Sequence, residues 1–384
     1  MKTQKIHLKK ICFIVFIIVI LNIATINTTA STTKKEFSEH ISAKSAVLYE
    51  PTRCKFLYQK NADQKLPMAS TTKIMTAIVV ANECAMDEVV IIGNESVGVE
   101  GSSAYLREGD KYTILELLYA LMLQSANDAA AALAYYVSGG IDEFANLMNQ
   151  TAKSLELENT NFTNPHGLDN EDHYTTAKDL AKIGAALLSN ETLKNIVSTY
   201  SRSFTLEDRT RTYINHNKLL QSYDGCTGVK TGFTKKSGRC LVSSAERDGI
   251  SLICVTINAT SDWSDHKNLL DFGFNSLECI DLCTPGDYLN NIDLLNGEKE
   301  SVKVSAKEKI SIVLEKNNYD IQERIILPRY ITAPVNKGDI VGQVIYNIDN
   351  EVYTIDITAD ETVYLNKKKT ILNKLTKIFH IQDD

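Results

Sequence analysis

Ser70-Thr71-Thr72-Lys73-Ile74-Met75-Thr76-Ala77-Ile78-Val79-Val80-Ala81-Asn82 is the stretch on which the reading of this chain turns. Ile74, Met75, Ile78 and Val79 recur at helical spacing, and Ser70 stands where a helix favours a hydroxyl residue, so the segment predicts a helix opened by Ser70. Positions i and i+3 of a helix share a face, which places the Lys73 amine within reach of the Ser70 hydroxyl. Before this helix, 45–49 and 55–58 alternate like two short strands joined across a turn containing Pro51. After it, 114–137 is a helix-rich, nearly all-apolar block, interrupted near Ser125 and therefore expected to be buried. Residues 140–155 and 176–188 read as amphipathic helices. Residues 239–245 and 250–257 are β-branched apolar runs separated by Arg247-Asp248-Gly249, and Asp-Gly in that position is a strong hairpin signal. Strands before and after a helical middle imply an antiparallel sheet covered by helices, with the N-terminal strands joining the hairpin.

Beyond about residue 278 the pattern changes to short strands at 302–304, 310–314, 324–326, 340–346 and 352–358, with turns at Asn317-Asn318 and Lys337-Gly338-Asp339. This reads as a small all-β domain, a sandwich or barrel. The division expected is 1–30, 31–277, 278–365 and 366–384. Residues 1–30 carry Lys2, Lys5, Lys9 and Lys10, an apolar run from Ile11 to Ile23 and a small-residue site at Thr28-Thr29-Ala30, the pattern of a secretory signal peptide. Its apolar run falls short of the ~20 residues of a spanning helix. In 366–384, Ile371, Leu372, Leu375, Ile378 and Phe379 share one helical face, flanked by Lys374 and Lys377, which suits either docking on the protein or an anionic membrane surface.

Composition is that of an ordinary globular protein: 384 residues, 43% hydrophobic and 23% charged. Loss of the leader removes four lysines and no acidic residue, deepening the net charge from −7 to −11. A charge of that sign argues against nucleic acid as a partner. Seven cysteines remain after the leader, an odd number without tight spacing, so no disulfide framework is expected. Cys279-x-x-x-Cys283 lacks a second ligand pair nearby, no His-Glu-x-x-His occurs, and no metal or other cofactor is implied.

Three short motifs follow one another: Ser70-Thr71-Thr72-Lys73, Ser125-Ala126-Asn127 and Lys230-Thr231-Gly232. Singly each has a plain reading, as a helix cap beside a solvated lysine, a turn between helices, and an exposed turn. Ser31-Thr32-Thr33-Lys34 also fits the first pattern in a polar segment unsuited to a site. Together they supply the parts of nucleophilic catalysis without histidine. A serine hydroxyl needs a neighbour to take its proton, and a lysine serves if burial and a second cation lower its pKa. Lys230 would be that second cation.

In this order the motifs resemble those of the low-molecular-weight penicillin-binding proteins, specifically the serine-type D-alanyl-D-alanine carboxypeptidases. The resemblance spans about 38–365 and includes Pro67-Met68-Ala69, His166-Gly167-Leu168-Asp169, Asn215 to Leu220 and Gly228 to Thr234. It implies an α+β fold, an antiparallel sheet with a helical cluster, followed by a small all-β domain and an amphipathic C-terminal membrane anchor. It implies that Ser70 attacks the carbonyl between the two terminal D-alanines of a peptidoglycan stem peptide, that Lys73 takes its proton and that Ser125 relays a proton to the leaving amine. Asn127 would position the substrate amide and Lys73; Lys230 and Thr231 would hold the terminal carboxylate. The N–H groups of Ser70 and Phe233, the latter beside Gly232, would form the oxyanion hole. β-Lactam antibiotics would acylate the same serine, at the outer face of the cytoplasmic membrane.

Two departures stand out. Phe233 occupies a position where some relatives carry His, and the arginine that some place after the last sheet strand is missing from Ala259 to Asp265, leaving the carboxylate to Lys230, Thr231 or Arg239. His166 and Asp169 are expected at the cavity rim and His216 in packing or in ordering its loop. The alternatives are a serine β-lactamase, against which no Glu-x-Glu-Leu-Asn-like segment lies between Asn127 and Lys230, and a non-catalytic wall-binding protein with a vestigial site, against which all three motifs are intact.

Overall fold

The computed structural model describes residues 37–206, 209–349 and 351–367. The leader and the apolar stripe 371–379 lie outside the described residues. A five-stranded antiparallel sheet runs in the order Lys55–Lys60, Ser45–Glu50, Ile250–Ala259, Gly238–Arg247, Cys226–Thr234. The N-terminal pair joins the hairpin as the alternation predicted. Arg247 pairs with Ile250 across Asp248 and Gly249, both at positive φ, the conformation a two-residue hairpin turn demands.

Both faces of this sheet are covered, and the period of two sorts its side chains between two cores. Val47, Tyr49, Ile253, Val255 and Ile257 face one way and pack with Leu180, Ile183 and Leu187 of the helix Ala177–Leu188. Ala46, Leu48, Leu252 and Cys254 face the other way, against Leu269 and Leu270 of the helix Asp262–Ser276. Thr176 caps the first of these helices by accepting from the Asp179 amide.

The helix Lys73–Glu83 is the axis of the helical cluster. Every residue from Lys73 to Val80 is buried, enclosed by helices Ile114–Leu123, Asn127–Ser138, Ile141–Ser154, Ala177–Leu188 and Glu191–Ser198. Here the expected helix start is corrected. Ser70 lies in a 3₁₀ turn, Ala69–Thr72, and caps nothing, because the α-helix begins only at Lys73. The Thr71 and Thr72 hydroxyls donate backward to the carbonyls of Met68 and Ala69, at 2.6 and 2.7 Å. The apolar block 114–137 divides into two helices at Ser125, which holds φ +61°. A capping box between Thr113 and Glu116 starts the first of them.

The C-terminal region is all β. Its six-stranded sheet runs Ile321–Ile326, Ile340–Ile348, Glu351–Ala359, Ser301–Ala306, Tyr288–Leu295, Tyr330–Thr332, and Leu277–Cys283 pairs separately with Ile310–Glu315. Arg53, on the turn after the first strand, donates to Glu351 (3.2 Å) and to the Val313 carbonyl (3.4 Å), tying this region to the five-stranded sheet. The seven described cysteines are unpaired. Among the described residues no group of His, Cys, Asp or Glu is placed to hold a metal, and no helix is long and apolar enough to cross a membrane.

Candidate active site

A cavity of about 490 Å³ opens where the 3₁₀ turn meets the edge strand of the sheet. Ser70, Ser125, Thr231, Gly232 and Phe233 line it, so residues more than 150 positions apart in sequence share one wall. Lys73 stands behind Ser70, fully buried. Its Nζ lies 3.0 Å from Ser70 Oγ and donates to Asn127 Oδ1 (2.7 Å) and the His166 carbonyl (2.6 Å), which uses both N–H groups of a neutral amine and leaves its lone pair for the Ser70 hydroxyl. Burial, and then the charge of Lys230, push its pKa well below the ordinary lysine range, against an opposing pull from Asp128. Lys230 is also buried, and burial lowers its pKa to about 7. Lys230 thus contributes to lowering the Lys73 pKa, second to burial.

Each motif is positioned by its element. Asn127 is the first residue of its helix; its amide donates to the Ser102 carbonyl (2.7 Å) and its Nδ2 to the Glu100 carbonyl (2.5 Å). Asp128, which the motifs did not single out, accepts from Ser103 Oγ (2.6 Å) and from the amides of Ala104 (3.0 Å) and Leu106 (3.1 Å), pinning the loop that carries Ser102 into the cavity wall. Lys230, Thr231, Gly232 and Phe233 sit on the edge strand opposite Val242, Leu241, Cys240 and Arg239. An edge strand leaves backbone groups free to pair with an extended peptide. Gly232 is demanded by proximity: a Cβ there would lie 3.0 Å from the Ser70 nitrogen and 3.1 Å from that of Thr71.

The loop 164–169 does more than form a rim. The His166 carbonyl holds Lys73, the Pro165 carbonyl accepts from Thr76 (2.6 Å), and Asp169 accepts from Thr234 on the edge strand (2.9 Å). The His166 ring stays neutral, its pKa lowered to about 3 by burial and then by Lys73 and His173. His216, expected to pack or to order its loop, also lines the cavity.

Arg239 lines the same cavity, its side chain 46% exposed. It pairs with the buried carboxylate of Asp262 (2.9 Å) and lies over the Trp263 ring, 6.0 Å from its centroid. Asp262 and Trp263 have no motif to announce them; only folding brings the start of their helix beside the Arg239 strand.

Comparison with known proteins agrees with this geometry. Residues 28–261 match the family described as D-alanyl-D-alanine carboxypeptidase, and 278–365 match the C-terminal domain of penicillin-binding protein 5. The chain is 33% identical over 322 residues to the D-alanyl-D-alanine carboxypeptidase DacF of Bacillus subtilis, covering 81% of this chain and 82% of that one. It is 32% identical over 329 residues to DacC of Escherichia coli, covering 81% of each. Penicillin-binding protein 5 from Haemophilus influenzae superposes with a TM-score of 0.63 at 29% identity, covering 85% of this chain and 99% of that structure. On these matches, and with the site already assembled, the chain belongs to the D-alanyl-D-alanine carboxypeptidase family of low-molecular-weight penicillin-binding proteins.

Proposed function

We propose that this enzyme, a serine D-alanyl-D-alanine carboxypeptidase acting on peptidoglycan stems, works through Ser70 as nucleophile and the neutral amine of Lys73 as general base. The observation that carries this is the 3.0 Å contact between Lys73 Nζ and Ser70 Oγ, made by a lysine that burial and Lys230 hold deprotonated far more readily than usual. Ser70 Oγ gives its proton to Lys73 and bonds to the carbonyl carbon of the penultimate D-alanine. The resulting oxyanion is taken by the amides of Ser70 and Phe233, a contribution of ~3–4 kcal/mol per donor in comparable sites. Ser125, which lines the same cavity, passes a proton to the leaving amine; the C–N bond breaks, D-alanine departs, and water hydrolyses the ester. Asn127 fixes the Lys73 amine through its Oδ1.

The terminal carboxylate of the substrate meets Lys230, Thr231 and Arg239. Arg239 stands opposite Phe233 in register and supplies the guanidinium that Ala259 to Asp265 lack. The same serine is acylated by β-lactams, as in the family. Incubation with a pentapeptide ending in D-Ala-D-Ala tests substrate and nucleophile together. Native protein releases D-alanine and takes labelled penicillin on Ser70, and Ser70→Ala does neither; labelling retained in Ser70→Ala would remove Ser70 from the role.

The leader and the lysine-flanked stripe 371–379 support export and peripheral attachment to the outer face of the cytoplasmic membrane. Truncation after Tyr364 is expected to release an active enzyme from membranes. A truncated protein that still sediments with them would contradict the anchor.

A further inference from the structure

The peptide unit joining Ala69 to Ser70 carries the amide assigned above to the oxyanion hole, and the inference drawn here rests on that assignment. The unit is trans and planar, so its carbonyl and its N–H point in opposite directions. Whatever holds the carbonyl aims the amide. Ala69 stands at φ +48°, a conformation costly for a residue with a Cβ and one that persists only when its surroundings impose it.

The surroundings are a buried chain of hydrogen bonds that the catalytic steps do not use. Ala69 O accepts from Thr72 Oγ1 at 2.7 Å. The hydroxyl spends its one proton there, and its oxygen lies 2.7 Å from His173 Nε2. His173 Nδ1 accepts from the Thr163 amide at 3.0 Å, so the proton of the neutral ring sits on Nε2 and is donated to Thr72. Burial, and then the charge of Lys73, lower the His173 pKa to about 4 and keep the ring in that neutral form. Phe162 meets the ring edge-on, with centroids 5.8 Å apart. Gly167 leaves room for the whole arrangement: a Cβ there would fall 2.0 Å from Ala69 O and 2.9 Å from Thr72 Oγ1. Thr72 and His173 are buried, at 0% and 3% exposure, and neither lines the cavity.

We propose that Thr72 and His173 are positioning residues for the oxyanion hole, anchoring the Ala69 carbonyl so that the Ser70 amide faces the charge that develops on the substrate carbonyl oxygen. Their effect falls on the chemical step and not on binding.

The test uses the full chain and benzylpenicillin. Thr72→Val, which keeps the shape and removes the hydroxyl, should lower the acylation rate constant at saturating penicillin by about tenfold to hundredfold. The half-saturating concentration should move less than about threefold, the mark of an interaction made in the transition state. The infrared ester carbonyl band of the penicilloyl-enzyme should shift to higher wavenumber, because a misaimed amide donates less to that oxygen. Thr72→Ser should restore both rate and band. His173→Phe, which keeps the ring stack and removes the donor, should show the same shift with a smaller loss of rate, and carries the test if Thr72→Val does not fold. Wild-type acylation in either variant, a slowed Thr72→Val with an unshifted band, or no rescue by Thr72→Ser would overturn the proposal. A wild-type protein that takes no label on Ser70 would defeat the catalytic assignment instead, so the two failures are distinguishable.

Discussion

The catalytic region and the C-terminal β region are built on opposite terms. Between Ser45 and His266 the interior holds Lys73, Lys230, Asp128, Asp179, Asp262, His173 and His266, whereas among the described residues after 277 the only buried polar side chain is Ser305. The β region packs Val302, Val304, Val344, Ile348, Ile355 and Ile357 against one another and leaves its charges in solvent. Buried charge is expensive unless it is paired or neutralised, and the catalytic region accepts that expense at Lys73, the proposed base, and at Lys230. Stability and chemistry are thus distributed over different parts of the chain.

The widest separation between the two regions should come from Lys73→Met. General-base catalysis is typically worth ~10²–10⁴-fold, so the acylation rate constant should fall by that order while the melting temperature holds or rises, because a desolvated amine is replaced by an apolar chain of similar length. Stopped-flow acylation beside calorimetry checks it, and a large loss of stability would show that the lysine is structural. Ile355→Ala should do the reverse: a fully buried side chain shortened in the β core costs ~2–5 kcal/mol of stability and leaves acylation by penicillin unchanged. Altered acylation at a temperature where the variant is folded would break the division.

Arg239→Gln sharpens the comparison within the cavity. KM for a peptide with a free C-terminal carboxylate should rise about tenfold, with little change for the C-terminal amide, since hydrogen bonds to a charged partner are the ones lost. An equal effect on both peptides would assign Arg239 to shaping the wall. The smallest effect concerns acid. His266 is buried neutral between Ser243 Oγ (2.6 Å) and Thr256 Oγ1 (2.9 Å), and burial lowers its pKa to about 3. The unfolded chain, with His near ~6.5, therefore binds the proton first, and stability falls as pH drops from about 6.5 towards 3. His266→Gln should flatten that slope by at most about 1.4 kcal/mol per pH unit in denaturant titrations. An unchanged slope would place the acid sensitivity elsewhere.

How much of this was legible beforehand depends on whether the signal is local. The hairpin around Asp248-Gly249 and the turns at Asn317 and Gly338 are written in residues that favour positive φ, and each appears where the sequence placed it, whereas Ser125 holds φ +61° at the helix break without that preference. The three motifs are contiguous and their convergence followed from the fold class. Misplacement occurred where neighbours decided. Ser70 resembles a helix cap, but Thr71 and Thr72 close the 3₁₀ turn first and leave its hydroxyl to Lys73. The hairpin Ser201–Thr205 with Thr210–Ile214, the short pair Val89–Ile91 with Lys111–Thr113 and the helix Asp262–Ser276 carried no pattern strong enough to be read. The Arg239–Asp262 pair and the His173–Thr72–Ala69 chain join residues 23 and 101 positions apart, so only the tertiary structure brings them into view.

Two buried lysines, Lys73 and Lys230, interact, and the one hydrogen-bonded to Ser70 should lose its proton well below the ordinary lysine range. Carbon-13 NMR of the protein labelled at the lysine ε-carbons reads it directly, with Lys73→Met and Lys230→Met assigning the two resonances. Lys230 should titrate near 7 and Lys73 should remain neutral well below the ordinary lysine range. Titration of Lys73 near ~10.4, like a solvated lysine, would contradict it.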